Sequence, residues 1–475
     1  MYHGLKRAIS TAAVVIIVVI LIVAAGTGVY LATRSTPTMT TTPSTSCSSS
    51  SRTRGTVTTA ASSTSGPLPV FSMPLIPVPS NNTLSGTITI GVLDDLTDGL
   101  SSDGHQINAS VYQAISDINN WLKVNDSAWA GKVSFKVAVE DYALDNSKAE
   151  SIMTTFNSEG ITAVVGPLNS GTAGALLTSY ADADHIVMIS PSSTSVALAI
   201  PDDYLFRTAP NDAAQGLADA RMMYQEGVRH LIIVYRQDTY GAGLAQAVAT
   251  RFVALGGDVI SQIPYDTSTT DFSSVLNTIN TLWASNVAKY GCEAVAIQAI
   301  SFEELGTMLL QAKSSFPQLL NTVQPWYGSD GEAADSVLTN STYASVMTQI
   351  ELPSTLYVQT NTTQTNRLCS VIETETHITC DAYGLGAYDD VWLAALSYLH
   401  CGTTDGACIQ HAIPEIANES VGVTGPLNLE ASGDRVPTAY NIWCVTGSGT
   451  TATWNVCGTW TISSDIVTWT AEPPH

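Results

Sequence analysis

Between Ile161 and Ser195 the chain reads ITAVVGPLNSGTAGALLTSYADADHIVMISPSSTS, an order that leaves few folds open. Ile161 to Val165 and Ile186 to Ile189 are short unbroken apolar runs, the pattern of parallel strands covered on both faces. Between them Ala173, Leu176, Leu177 and Tyr180 fall on one helical face, so the stretch is a βαβ unit with a right-handed crossover. Each strand gives way to small hydroxyl residues, Ser170 and Thr172 after the first, Ser190 and Ser192 to Ser195 after the second. Ligands of open α/β sheets lie beyond the carboxyl ends of the strands. Hydroxyls there, beside free amides opening a helix at Thr172, suit an anion. One such loop would need no more than helix capping; two neighbouring loops point to a site.

The same rhythm extends to both sides. Upstream, Ile88, Ile90 and Val92 alternate as a strand, the polar loop DDLTDGLSSDG follows, and Ile107 to Leu122 is apolar at helical spacing. Val133 to Val139 is a second strand, and Ser147 with Glu150 forms a capping-box pattern for a helix stopped by Gly160. These elements with the central unit make a four-strand lobe. After Leu205–Gly216 the order restarts, with strands expected at 231–235, 258–265, 292–298 and 324–328 and helices from Ala242, Phe272 and Phe302. Beyond Leu356 the pattern becomes one long helix, Leu385 to His400, then a cysteine-containing loop, a second helix and closing strands from Val421. The fold class is therefore α/β, two Rossmann-like lobes with open parallel sheets joined by a hinge.

Acidic residues outnumber basic ones 41 to 18, a net charge of −23, which argues against nucleic acid as a partner. Only 12% of residues are charged while 45% are hydrophobic, enough for a sizeable core. Lys6 and Arg7 precede a nearly uncharged run from Ala8 to Thr33. That run exceeds the roughly 20 apolar residues that span a bilayer and the shorter core of a cleaved signal peptide. Residues 1–33 are read as a cytoplasmic tip and a transmembrane anchor, with the rest of the chain outside the cell. Residues 34–83 are a Ser/Thr- and Pro-rich linker, flexible first and semi-rigid later. All eight cysteines follow the anchor, as an oxidising exterior would allow. Close spacing suggests Cys369 with Cys380, Cys401 with Cys408, and Cys444 with Cys457. Cys292 reads as a buried thiol, and Cys47 lies in the linker. Asn-x-Ser/Thr tripeptides begin at Asn81, Asn108, Asn125, Asn340, Asn361 and Asn418, each available for a glycan outside the cell or equally an unused tripeptide.

Catalytic motifs are missing: there is no Walker loop, HExxH, GxSxG or CxxC pair, so the chain is not read as an enzyme. His400, Cys401, Cys408 and His411 could ligate zinc, but outside the cell a disulfide is the better reading. No cofactor or metal is implied.

GVLDDLTDGLSSDG, NSKAESIMTTF, VVGPLNS, MISPSSTS, FRTAPNDAAQG, DTYGAGLA, TTDFSSVL, YGSDG and VTGPLNLEASGD occur in this order. From Thr87 to Val445 the chain thereby resembles the amino-acid subset of type I periplasmic-binding proteins, the solute receptors of ABC importers. The resemblance implies lobe one from 84–210 and 358–427, and lobe two from 211–357 and 428–475. It implies that Ser170, Ser192 and Thr194 hold a ligand carboxylate. Across the cleft it implies Asp330 for the ammonium, Tyr240 beside it, and Asp212 as a further polar position that could equally be a helix N-cap. Asp95 and Asp98 depart from the family's first loop and add charge near the cleft mouth. Ser301 stands where several amino-acid binders place a tyrosine, and Ser301 with Glu304 also has capping-box spacing. The implied function is capture of a small polar solute, an amino acid, for an ABC permease. The alternatives on the same fold are a surface-layer or adhesion protein and a ligand-sensing receptor ectodomain.

Overall fold

The computed structural model describes residues 71–124, 129–320, 323–324 and 326–470. The expected anchor, most of the linker, Cys47 and Asn125 lie outside the described residues. Among the described residues no helix is long and apolar enough to cross a membrane.

The first half is a parallel sheet. β1 (Gly86–Asp94) is followed by α1 (Ser101–Val124), β2 (Val133–Asp141), α2 (Asn146–Ser158) and β3 (Ala163–Val165). α3 (Ser170–Leu176), extended by further helical turns to Asp184, leads to β4 (Val187–Ser190) and β5 (Leu205–Arg207). The order β2-β1-β3-β4-β5 is parallel throughout, and β3 and β4 are buried along their whole length. Sequence pattern anticipated four strands here. β5 is only three residues long and ends on a charged residue, Arg207, which hid it.

A second parallel sheet repeats the scheme. α4 (Asp212–Gln225) enters it, then β6 (His230–Arg236), α5 (Thr239–Ala254), β7 (Asp258–Tyr265), α6 (Ser273–Tyr290), β8 (Val295–Ile300), α7 (Glu304–Ser315) and β9 (Trp326–Tyr327). The strand order is β7-β6-β8-β9. After α8 (Ala344–Ile350), β10 (Ser354–Tyr357) joins the closing strands in an antiparallel sheet. Those strands are β13 (Ala439–Ser448), β14 (Thr451–Thr461) and β15 (Ile466–Trp469). Between them and β10 the chain forms α9 (Thr363–Thr376), α10 (Ala382–Cys401), α11 (Gly406–Glu419) and the short pair β11 (Val421–Gly422) and β12 (Gly425–Pro426).

α10 packs on α1, β3 and β4 and is buried on all sides except at His400, as a helix with no polar face must be. Its two interior acids are tied to backbone and hydroxyls: Asp389 accepts from the Val423 and Thr424 amides, and Asp390 from the Thr208 hydroxyl. These bonds join the returning chain to the first sheet.

Several local expectations are corrected. α1 begins at Ser101, not near Ile107, because its first turn is polar yet buried against the end of β1. A Cβ at Gly104 would lie 1.8 Å from the Asp95 carbonyl oxygen, so only glycine lets the helix approach that closely. α2 is capped by Asp145, whose side chain accepts from the Ser147 and Lys148 amides, rather than by the Ser147–Glu150 pair. A carboxylate one residue outside the helix reaches both orphan amides directly. The proline-rich stretch is docked from Phe71 onward: Ile76 is buried, its carbonyl accepts from the Trp129 indole at 2.9 Å, and Ser72 pairs with Val421.

The disulfides Cys369–Cys380, Cys401–Cys408 and Cys444–Cys457 are all formed. Cys292 is not a buried thiol; it is half-buried and disulfide-bonded.

Candidate functional site

Where the carboxyl ends of the two parallel sheets meet, loops from both sides line a small, partly open cavity. Ser170 and Ser192 line one side, Tyr240, Phe302, Asp330 and Gly331 another, and Asp103 and Tyr383 complete the polar wall.

Ser170 opens α3, and its oxygen accepts from the Thr194 and Ser195 amides, each at 3.1 Å. With two amides on its lone pairs, the hydroxyl proton is left to donate into the cavity. Asn169, the residue before the helix, makes no side-chain cap bond, so the first-turn amides are left for another acceptor. Ser192 donates to the Leu168 carbonyl at 3.0 Å. Thr194 does not line the cavity; its hydroxyl lies 3.5 Å from Asp330 Oδ2, across from one sheet to the other.

Asp330 follows β9 and is 5% exposed. Its Oδ1 accepts from the Tyr240 hydroxyl at 2.6 Å and from Gln215 Nε2 at 2.9 Å; the Tyr383 hydroxyl bonds Oδ2. Tyr240, in the first turn of α5, stacks on Phe302 at 5.4 Å between centroids with 20° between planes. The Arg236 guanidinium also lies over the Phe302 ring, 3.5 Å from its centroid. Gly331 is required beside the acid, since a Cβ there would sit 2.3 Å from the Ser301 carbonyl oxygen.

The electrostatics are one-sided. Among the described residues no Lys, Arg or His forms an ion pair with Asp103, Asp212 or Asp330. Burial pushes the Asp330 carboxyl above the usual carboxylate range, while the Tyr240, Tyr383 and Gln215 hydrogen bonds pull it down. Burial also raises Asp212, and the charge of Asp330 raises it further. Asp212 is fully buried, and both of its carboxylate oxygens lack a hydrogen-bond partner among the described residues. It sits in the first turn of α4, where Asn211, not Asp212, is the N-cap. The helix end offsets part of its charge. Asp212 does not line the cavity.

Two sequence readings at the site change. Asp95 and Asp98 do not face the cavity: Asp95 accepts from the Asp98 and Leu100 amides and so folds the first loop. Ser301 does not cap α7; its amide and hydroxyl both bond Glu332, and Glu304 instead takes Arg236 and Tyr265. The side chains that pattern reading passed over are Asp103, Gln215, Phe302 and Tyr383. Only Asp103 carried a usable signal, a carboxylate between small residues where a polar loop turns into a helix.

This concentration of buried acids sets a pH dependence. Glu332, fully buried, is pushed up from its ordinary 4.5 to about 8 by burial, against hydrogen bonds from Ser301 and Ser329. A folded acid titrating near 8 retains a proton that the unfolded chain loses near 4.5. Its stabilising contribution is thus complete below the lower value and lost as pH rises through the upper one. The thermal midpoint of the solute-free protein should therefore fall by about 5 °C or more between about pH 5 and about pH 8. Calorimetric scans across that range check it; a rising midpoint would contradict it.

A profile of the family described as periplasmic binding protein matches residues 87–442. The chain belongs to that family. An uncharacterised protein of Methanocaldococcus jannaschii is 28% identical over 401 residues, covering 80% of this chain and 91% of its own length. Among solved structures, a leucine-binding protein of Thermotoga maritima aligns with a TM-score of 0.64 at 18% identity, covering 78% of this chain and 98% of its own. A branched-chain amino-acid transporter substrate-binding protein of Streptococcus pneumoniae, in complex with isoleucine, aligns at 0.63 and 20% identity, covering 78% and 99%. The fold is the type I periplasmic-binding fold.

Proposed function

We propose that the protein is the solute-binding subunit of an ABC importer, held outside the cell by its N-terminal span, and that it captures an amino acid by closure of two lobes. Lobe one comprises 84–210 and 358–427, and lobe two 211–357 and 428–475. The observation that carries this reading is the buried Asp330, which faces a hydroxyl-lined cavity and has no basic partner among the described residues. An uncompensated buried carboxylate costs several kcal/mol, and an ammonium group from the solute removes that cost.

In this reading the solute docks first on lobe one, its carboxylate taking the Ser170 hydroxyl, Ser192 and the first-turn amides of α3. Lobe two then closes and brings Asp330 and Tyr240 to the ammonium, while Asp212 supports the field from behind. Thr194, within reach of Asp330, lies where the two halves touch. Because solute contacts both halves, it favours the closed form by the difference in its affinity for the two states. A permease would then read the closed outer faces.

Isothermal calorimetry with an amino acid, its deaminated acid and its decarboxylated amine tests the pairing. Each truncated analogue should bind at least about 30-fold more weakly, since each leaves one set of buried polar groups unmatched. No binding across an amino-acid panel would instead favour a surface-layer or adhesion role. A ligand-dependent pull-down that recovers a signalling subunit rather than a permease would favour a sensor.

A further inference from the structure

The cavity has a second carboxylate. Asp103, in the first turn of α1, is 8% exposed and lines the same space as Asp330. The acids around Asp103 are each satisfied by donors. Asp381 accepts from the Tyr383 and Gly384 amides and from Gln106. Asp335 accepts from the Val337 and Leu338 amides, and Glu303 from the Ser101 hydroxyl and the Ser102 amide. Asp103 differs: among the described residues no basic side chain pairs with it. Burial, followed by the charges of Asp381, Asp335, Glu303 and Asp330, pushes its carboxyl well above the usual range.

Such a group must hold either a proton or a cation. We infer that the solute supplies the cation: it is an amino acid whose side chain ends in an ammonium or guanidinium group seated on Asp103, while its α-ammonium sits on Asp330. The proposal rests on the head-group reading above and extends it to the side chain. The remaining walls fit the connecting methylenes, because Leu100, Leu168 and Phe302 are the apolar lining residues. A protein whose cavity holds two buried acids also discriminates against uncharged side chains, which would leave Asp103 without a counter-charge.

Lysine and norleucine share a head group and a four-carbon stem and differ in the terminal amine, so calorimetry with the pair isolates the second cation. The wild-type protein should bind lysine about 30-fold or more tightly than norleucine, the loss expected when one member of a buried charge pair is removed. In Asp103→Asn, with folding checked by circular dichroism and thermal unfolding, that ratio should collapse to within about threefold. Norleucine binding as tightly as lysine to the wild-type protein overturns this inference and leaves the amino-acid reading intact. Failure of lysine, arginine and norleucine all to bind overturns both. The wild-type comparison needs no variant, so a misfolded Asp103→Asn does not remove the test.

Discussion

Replacing Asp330 with asparagine should weaken binding of a zwitterionic amino acid by about 100-fold or more, while the deaminated analogue loses little. The side chain keeps its size but no longer carries the charge that balances an ammonium in a space screened from water. Three donors, Tyr240, Tyr383 and Gln215, already converge on this carboxylate and hold it in place. They orient it and cannot replace its charge. Calorimetric titration of the variant with both ligands is the check, and unchanged affinity for the zwitterion would refute the assignment. Binding should also strengthen as pH rises toward neutrality in the wild-type protein, because a raised acid must lose its proton to accept an ammonium. That trend is opposite in sign to the pH dependence of the empty protein's stability, and Asp330→Asn should flatten it.

Arg207→Met should cost about 3–5 kcal/mol of stability, the usual consequence of stripping one partner from a fully buried ion pair. Arg207 is 0% exposed and its Nε donates to Asp434 Oδ1 at 2.6 Å, with Asp434 1% exposed. The same guanidinium donates to the Ser193 and Ser195 carbonyls at 3.2 and 2.8 Å, so it also shapes the hydroxyl loop. Solute affinity should fall with stability. In the double variant Arg207→Met with Asp434→Leu, most of the stability should return because no unpaired charge remains, but affinity should not, since the loop still lacks its clamp. Chemical denaturation gives the first quantity and calorimetry the second. Recovery of both together would show that the arginine acts on the fold alone.

How far the sequence could be read differs between fold and site. β3, β4 and β8 were legible because they are buried on both faces and carry unbroken apolar residues, which no surface element tolerates. β5 was not, because three residues give no period to read. The disulfides followed from proximity in sequence for the three local pairs, whereas nothing local to Cys292 pointed to a bond. At the site, Ser170 and Ser192 were legible from hydroxyl loops at strand ends, whereas Tyr240 and Asp330 came only from the family resemblance, and the structure brings all four to one cavity. Thr194 and Asp212 lie near it without lining it. Tyr383 escaped notice because it belongs to α10, whose uniform burial makes every residue look like core. Its hydroxyl becomes visible as a site group only when the returning helix is seen against Asp330. The capping-box readings at Ser147 and Ser301 failed for a shared reason: a nearby carboxylate, Asp145 or Glu332, reached the amide first.

The most direct measurement is a crystal structure of the protein with its amino acid bound. The expected result places the α-ammonium within hydrogen-bond distance of Asp330 and the carboxylate against Ser170 and the first-turn amides of α3. A solute bound elsewhere, or seated with its carboxylate toward Asp330, would contradict the account.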